Sequence, residues 1–99
     1  MSLEVSQVWS LTSTGGGAAV NGMGYALENS FIITTDGTSS GAIQIQSGAS
    51  SGGPFATLAS TTVNTNAASI QQVTGPLLWV RPYLTTVAGT VRVEWLGNA

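Results

Sequence analysis

Short runs of alternating apolar and polar residues, each ended by Gly, Ser, Asn or Asp, set the strongest limit on how this chain can fold. The clearest run is AIQIQS at residues 42–47, where Ile43 and Ile45 should point into a core and Gln44 and Gln46 outward. Apolar residues never keep the spacing of a helix face, because Gly, Ser and Thr interrupt every window. The pattern therefore predicts an all-β protein.

The strand-like runs follow one another closely, and we expect seven to nine short strands. The candidate strands are residues 3–11, 18–20, 30–35 (with residues 25–27 as a possible strand leading into it), 42–47, 55–60, 61–65, 68–73, 77–84 and 90–96. Their connections are too short for parallel crossovers, so the sheets should be antiparallel and packed as a jelly-roll-like β-sandwich. Residues 1–17 are interpreted as an N-terminal arm anchored by Trp9 or as an edge strand, and residues 18–99 as the sandwich domain.

Charge is scarce in this chain: charged residues make up 6% of it and the net charge is −2. Two arginines neutralise too few phosphates for useful nucleic-acid binding, and they do not suit an anionic membrane surface. No apolar run approaches the ~20 residues that span a bilayer, and the N-terminus does not resemble a signal peptide. We therefore expect neither nucleic acid nor membrane as a partner. The surface suits a protein covered by its own copies or by a partner, with a small neutral monomer as the alternative.

The sequence also lacks the residue types that most enzymes need. It contains no His, Cys or Lys, which removes the common nucleophilic triads, Schiff-base chemistry and zinc sites. Glu28 and Asp36 could be counted as a glycosidase pair, but no motif supports it, and Asp36 in TDGT fits a turn better than a calcium site. We expect no enzymatic activity, no cofactor and no metal.

The segment from residue 74 to residue 95 gathers two of the three tryptophans and both arginines. We expect a hairpin in which Leu84 lies opposite Val91, because this register keeps all charges off the core face, where isolated charge is costly. Its core face would hold Leu78, Val80, Leu84, Val91, Val93 and Trp95. Its outer face would hold Leu77, Trp79, Arg81, Tyr83, Arg92 and Glu94, with Arg81 opposite Glu94.

This outer face is the candidate partner-binding site, since Trp, Tyr and Arg are enriched at protein–protein hot spots. The candidate residues are Trp79, Arg81, Tyr83, Arg92, Glu94 and, from the N-terminal segment, Trp9. The same aromatic residues also suit stacking on a sugar ring. The alternative is an arginine that merely lies over aromatic rings on an ordinary sheet surface.

Three blocks carry a resemblance to known proteins: FIITTDGTSSGAIQIQSG at residues 31–48, GGPFATLASTTVNT at residues 52–65 and VTGPLLWVRPYLTTVAGTVRVEWLG at residues 73–97. In this order the chain resembles the small all-β virion proteins of tailed bacteriophages, most of all head decoration, or cement, proteins. The resemblance implies a structural virion protein, often a homotrimer at local threefold positions. It would be made in the host cytoplasm and would stabilise the capsid surface through contacts with its own copies and with the major capsid protein or another virion protein.

An alternative function is a carbohydrate-binding β-sandwich module of a tail fibre or a secreted protein. In that case Trp79 and Tyr83 would be the stacking platforms.

Overall fold

A computed structural model describes residues 4–21, 28–74 and 77–98. Nine strands lie in these ranges: β1 (Glu4–Leu11), β2 (Gly15–Gly16), β3 (Val20–Asn21), β4 (Glu28–Thr35), β5 (Ser40–Gly48), β6 (Phe55–Val63), β7 (Ala68–Thr74), β8 (Trp79–Ala88) and β9 (Val91–Asn98). Within the same ranges, no helix is long and apolar enough to cross a membrane.

The strands form two antiparallel sheets. The first sheet has the order β1-β9-β4-β7, and the second has the order β2-β8-β5-β6, with the short strand β3 also paired to β8. The sheets pack as a sandwich, which confirms the predicted fold class. Strand β1 lies at the edge of the first sheet, where it pairs with β9.

Most strands lie where the alternation predicted them. The two candidates at residues 55–60 and 61–65 form the single strand β6, in which a bulge at Leu58 shifts the register against β5. Ile43 and Ile45 are buried as expected. The candidate strand at residues 25–27 lies outside the described residues.

The core fills the space between the two sheets. On the first sheet, the Trp95 ring stacks between Phe31 and Trp9, with centroids 5.8 and 6.4 Å away and interplanar angles of 13°. Both indole N–H groups have acceptors: Trp95 Nε1 donates to Asn29 Oδ1 at 2.9 Å, and Trp9 Nε1 donates to the Ala18 carbonyl at 2.7 Å. A buried indole that lacks such a partner costs stability, so these bonds help to define the core.

The predicted hairpin between the last two strands is wrong. Strand β8 pairs with β5, β2 and β3 in the second sheet, whereas β9 lies between β1 and β4 in the first. Leu84 is therefore opposite Ile43 rather than Val91. The connection at residues 89–90 passes from one sheet to the other, and consecutive strands of a sandwich can both turn apolar residues inward without being paired.

The alternation within each of these strands nevertheless holds. Five of the predicted core residues are fully buried: Val80, Leu84, Val91, Val93 and Trp95. The assignments of Leu77 and Leu78 are reversed, since Leu77 is buried and Leu78 is exposed. Both precede the first residue of β8, so the side-chain alternation of the strand does not extend to them.

Candidate functional site

Arg81 is fixed on the outer face of the second sheet by three neighbours. Its guanidinium carbon lies 4.0 Å from the centroid of the Phe55 ring and 5.4 Å from that of Tyr83. Its Nε donates a hydrogen bond of 2.8 Å to Gln46 Oε1. We call Gln46, Phe55, Arg81 and Tyr83 the arginine cluster. Each cation–π contact of this kind stabilises the folded chain by about 0.5–1 kcal/mol where it is exposed to water and by more where it is desolvated.

The strand register explains how the arginine cluster forms. Gln46 lies directly opposite Arg81, so the two side chains leave the same face of the sheet. Phe55 lies opposite Gly48, and a Cβ on Gly48 would come 3.1 Å from Cδ1 of Phe55, so the glycine leaves room for the ring. On the other side of β8, a Cβ on Gly16 would come 2.8 Å from Arg81 Nη1.

No carboxylate neutralises Arg81 within the part of the chain whose side chains are described. The ion pair found there joins Arg92 Nη2 and Glu94 Oε2 at 3.5 Å, on the first sheet. A guanidinium carries five N–H donors, and Gln46 accepts one of those of Arg81. The arginine cluster therefore presents a positioned cation that can bind an acidic or carbonyl group of a partner.

The outer face of the first sheet carries a different pattern, arranged in two rows across the strands. Row one runs Val8, Glu94, Ile32 and Ile70, and row two runs Ser10, Arg92, Thr34 and Ala68; the neighbours within each row are directly paired residues of β1, β9, β4 and β7. Val8 is 41% exposed and Ile70 is 61% exposed. Leu96, next on the same face of β9, is 43% exposed.

The structure divides the predicted site residues among three places. Trp79, Arg81 and Tyr83 share the outer face of the second sheet, as the alternation along β8 predicted. Arg92 and Glu94 lie on the outer face of the first sheet, so the expected placement of Arg81 opposite Glu94 is wrong: Glu94 lies opposite Ile32 and Val8.

Trp9 is in the third place, the core. It is 6% exposed and stacks on Trp95, so its indole is not available to a partner in this structure.

The sequence reasoning missed Phe55 and Gln46 as members of the site. Gln46 was expected to point outward, but nothing in the sequence near it indicates Arg81, which is 35 residues away. Phe55 begins a strand that reaches Arg81 only across β5. A correct pairing of β6, β5 and β8 is the signal that would have found both residues.

Within residues 4–21, 28–74 and 77–98, no group of three or more His, Cys, Asp or Glu side chains could hold a metal ion.

Comparison with known proteins gives a fold in common but no family. No protein-family model and no curated protein matches the sequence. Several solved structures share its architecture. The crystal structure of the SPBc2 prophage-derived protein YomS matches with a TM-score of 0.68 and 19% identity, over 100% of this chain and 96% of that one.

A structure of Bacillus endospore appendages, described as a novel family of disulfide-linked pili, matches with a TM-score of 0.63 and 19% identity, over 99% and 85% of the two chains. The crystal structure of PirA matches with a TM-score of 0.57 and 16% identity, over 95% and 93%. At these identities the likeness shows the fold alone. The protein is thus an antiparallel β-sandwich of a fold also found in a prophage-derived protein and in endospore pili.

Proposed function

We propose that the protein is a non-enzymatic structural subunit that decorates and stabilises the capsid of a tailed bacteriophage, binding both its own copies and the shell. The observation that carries this proposal is the arginine cluster. In a chain with so few charges, one arginine is held by Gln46, Phe55 and Tyr83 on an outer sheet face, with no carboxylate beside it among the described side chains. Such a fixed aromatic and cationic surface is typical of an interaction hot spot.

Other observations support a place in a repeated assembly. The fold is shared with a prophage-derived protein and with a pilus structure. Weak contacts suffice for a subunit that is present in many copies, because avidity multiplies them. Contacts made mainly by uncharged side chains also depend little on salt. On this proposal the protein acts at the capsid surface of the virion after synthesis in the host cytoplasm.

In the proposed mechanism, the arginine cluster faces the shell. Arg81 donates its remaining N–H groups to acidic or carbonyl groups of the major capsid protein or another virion protein. Tyr83 and Trp79, on the same face of β8, add apolar area around this polar contact. Because Phe55 and Gln46 already fix the guanidinium, little side-chain entropy is lost on binding.

The proposal is tested by co-sedimentation of the purified chain with capsids of the phage that encodes it. We expect Arg81→Ala to weaken binding about tenfold or more, as hot-spot arginines do. Arg81→Lys keeps the charge but loses the planar fork, so it should also bind less well. Trp79→Ala should weaken binding while the chain stays folded.

Thr62→Ala is the matched control, because Thr62 is exposed on the same sheet, opposite Ala42 and away from the arginine cluster. Equal binding by Thr62→Ala and Arg81→Ala would contradict the proposed surface. Absence of capsid binding by the unmodified chain would contradict the proposed function.

A second candidate function, a carbohydrate-binding module, is favoured by one observation. Trp79 and Tyr83 are both half-buried on the same outer face, on either side of Arg81. An aromatic ring and the hydrogen-bond donors of Arg81 therefore lie side by side. A glycan array with the unmodified chain and Trp79→Ala separates the two functions. Specific sugar binding that is lost in Trp79→Ala would support this candidate over capsid decoration.

A further inference from the structure

We infer that two copies of this chain pair through the outer face of the first sheet. The twofold axis that relates them lies between row one and row two and runs perpendicular to the strands. This inference rests on the proposed function only in its expectation that copies associate. The occupant of the face is a second copy of the chain.

The first argument is the distribution of exposed apolar residues. Five large apolar side chains are exposed among the described residues, and three of them, Val8, Ile70 and Leu96, lie on this one face. Ile32, half-buried, lies next to Ile70 in row one, and Glu94 separates it from Val8. Single exposed apolar residues are normal on protein surfaces, whereas three of the five on one sheet face, with Ile32 beside Ile70, point to an interaction site.

The second argument is that the two rows complement each other. Each position of row one carries the larger apolar residue or the anion, and the paired position of row two carries a smaller residue or the cation. In strand order, Val8 corresponds to Ser10, Glu94 to Arg92, Ile32 to Thr34 and Ile70 to Ala68.

A twofold axis between the rows would therefore place row one of each copy against row two of the other. Large side chains would meet small ones, which is how packed layers interdigitate. Glu94 of each copy would meet Arg92 of the other, so four charges would form two pairs across the interface. An isologous contact of this kind uses one self-complementary patch on both subunits.

The size of the molecule is compatible with a stable pair. The molecule measures 39 × 28 × 17 Å, so its broad faces are large enough to bury the ~800 Å² per partner of a standard interface. A hollow of about 240 Å³ lies at the end of the sheet where row two is, lined in part by Ser10, Thr34 and Arg92. Side chains of row one in a second copy could enter it.

The pairing predicts an even number of copies, and it departs from the homotrimer that the resemblance implies. A trimer would have to use two different patches on each copy, because an isologous contact closes after two subunits. The arginine cluster, on the opposite sheet, would remain free on both copies to bind a shell.

The first test is sedimentation velocity of the purified chain over a dilution series. We expect a monomer–dimer equilibrium, and Ile70→Asp should raise the dissociation constant about tenfold or more, since it puts a charge against an apolar surface. Leu58→Asp is the matched control, because Leu58 is similarly an exposed apolar residue of a strand but belongs to the second sheet. It should leave the dissociation constant within about twofold of the unmodified value.

The second test uses the charges and isolates the contact between copies. Arg92→Glu alone and Glu94→Arg alone each place like charges opposite one another, so each should be monomeric. Mixed in equal amounts, the two variants should form a one-to-one heterodimer. In the mixture, neither variant regains the ion pair between residues 92 and 94 of its own chain. Recovery of the dimer therefore reports contacts between the copies.

Several results would overturn the inference. A chain that stays monomeric throughout the dilution series, a trimer, or an Ile70→Asp dimer as tight as the unmodified one would each do so. A mixture of the charge variants that stays monomeric would overturn the axis between the rows.

A capsid-binding assay distinguishes failure of this inference from failure of the proposed function. A monomer that still binds capsids through Arg81 would refute the pairing and leave the proposed function standing. A dimer that binds no capsid would do the reverse.

Discussion

Trp9 supports the core rather than a partner contact, so Trp9→Ala should destabilise the folded chain strongly. The indole is 6% exposed and stacks on Trp95, and its N–H donates to the Ala18 carbonyl at 2.7 Å. A buried Trp removes about 150–250 Å² from water, which at ~25 cal/mol per Å² amounts to about 4–6 kcal/mol. Comparable Trp→Ala substitutions cost about 3–5 kcal/mol, so we expect about 4 kcal/mol.

That loss is a large part of the 5–15 kcal/mol by which a typical domain is stable. With a urea dependence of about 1–3 kcal/mol per M, the unfolding midpoint should fall by about 2 M. The assay is urea unfolding followed by far-ultraviolet circular dichroism, since removing a tryptophan changes the fluorescence. All chains should carry Ile70→Asp, because pairing of copies would otherwise add to the apparent stability.

Two control variants distinguish a tryptophan in the core from one on the surface. Trp79→Ala removes a half-buried ring from an outer face and should cost less than about 2 kcal/mol. Trp9→Phe keeps a ring in the core but loses the hydrogen bond to the Ala18 carbonyl, which costs about 1 kcal/mol. A Trp9→Ala midpoint equal to that of Trp79→Ala would refute the assignment of Trp9 to the core.

Two further substitutions test the fold by the same unfolding assay. Gly89 has φ +78°, and a Cβ there would collide with Ser39 Oγ, so Gly89→Ala should lower the free energy of unfolding by about 1–3 kcal/mol. Gly37→Ala meets no atom within 4 Å and should change it by less than about 0.5 kcal/mol; equal effects would contradict the reasoning. Asn29→Leu leaves the buried Trp95 N–H without its acceptor and should cost about 1–3 kcal/mol, whereas an unchanged midpoint would show that this hydrogen bond adds nothing.

Local alternation was enough to predict most of the strands and their buried faces, although it missed the two-residue strand β2. Side chains of a strand point to two faces in turn, so Ile43 and Ile45 on β5, and Val91 and Val93 on β9, could be assigned to the core without knowing their neighbours. The same argument placed Arg81 on an outer face. It failed at Leu77 and Leu78, which lie before β8 begins.

Strand pairing could not be predicted in the same way. A short connection such as the one at residues 89–90 usually joins two strands that pair with each other. A connection that crosses from one sheet to the other buries the same residues as a paired hairpin does, so the burial pattern cannot distinguish the two. The hairpin prediction therefore gave correct faces but a false neighbour for Arg81. Its actual neighbours, Gln46 and Phe55, come from strands far away in the sequence.

The position of β9 between β1 and β4 has a consequence for how the protein is made. During synthesis, β1 leaves the ribosome long before β9, so its pairing with Val91–Asn98 must wait until β9 has emerged. Apart from β5 with β6, the paired strands are not consecutive along the chain. Topologies dominated by such distant pairings fold slowly, in about milliseconds to seconds. A nascent chain that stops before β9 cannot complete the first sheet or form the two-row face on it, so only molecules that contain this strand can enter the paired assembly.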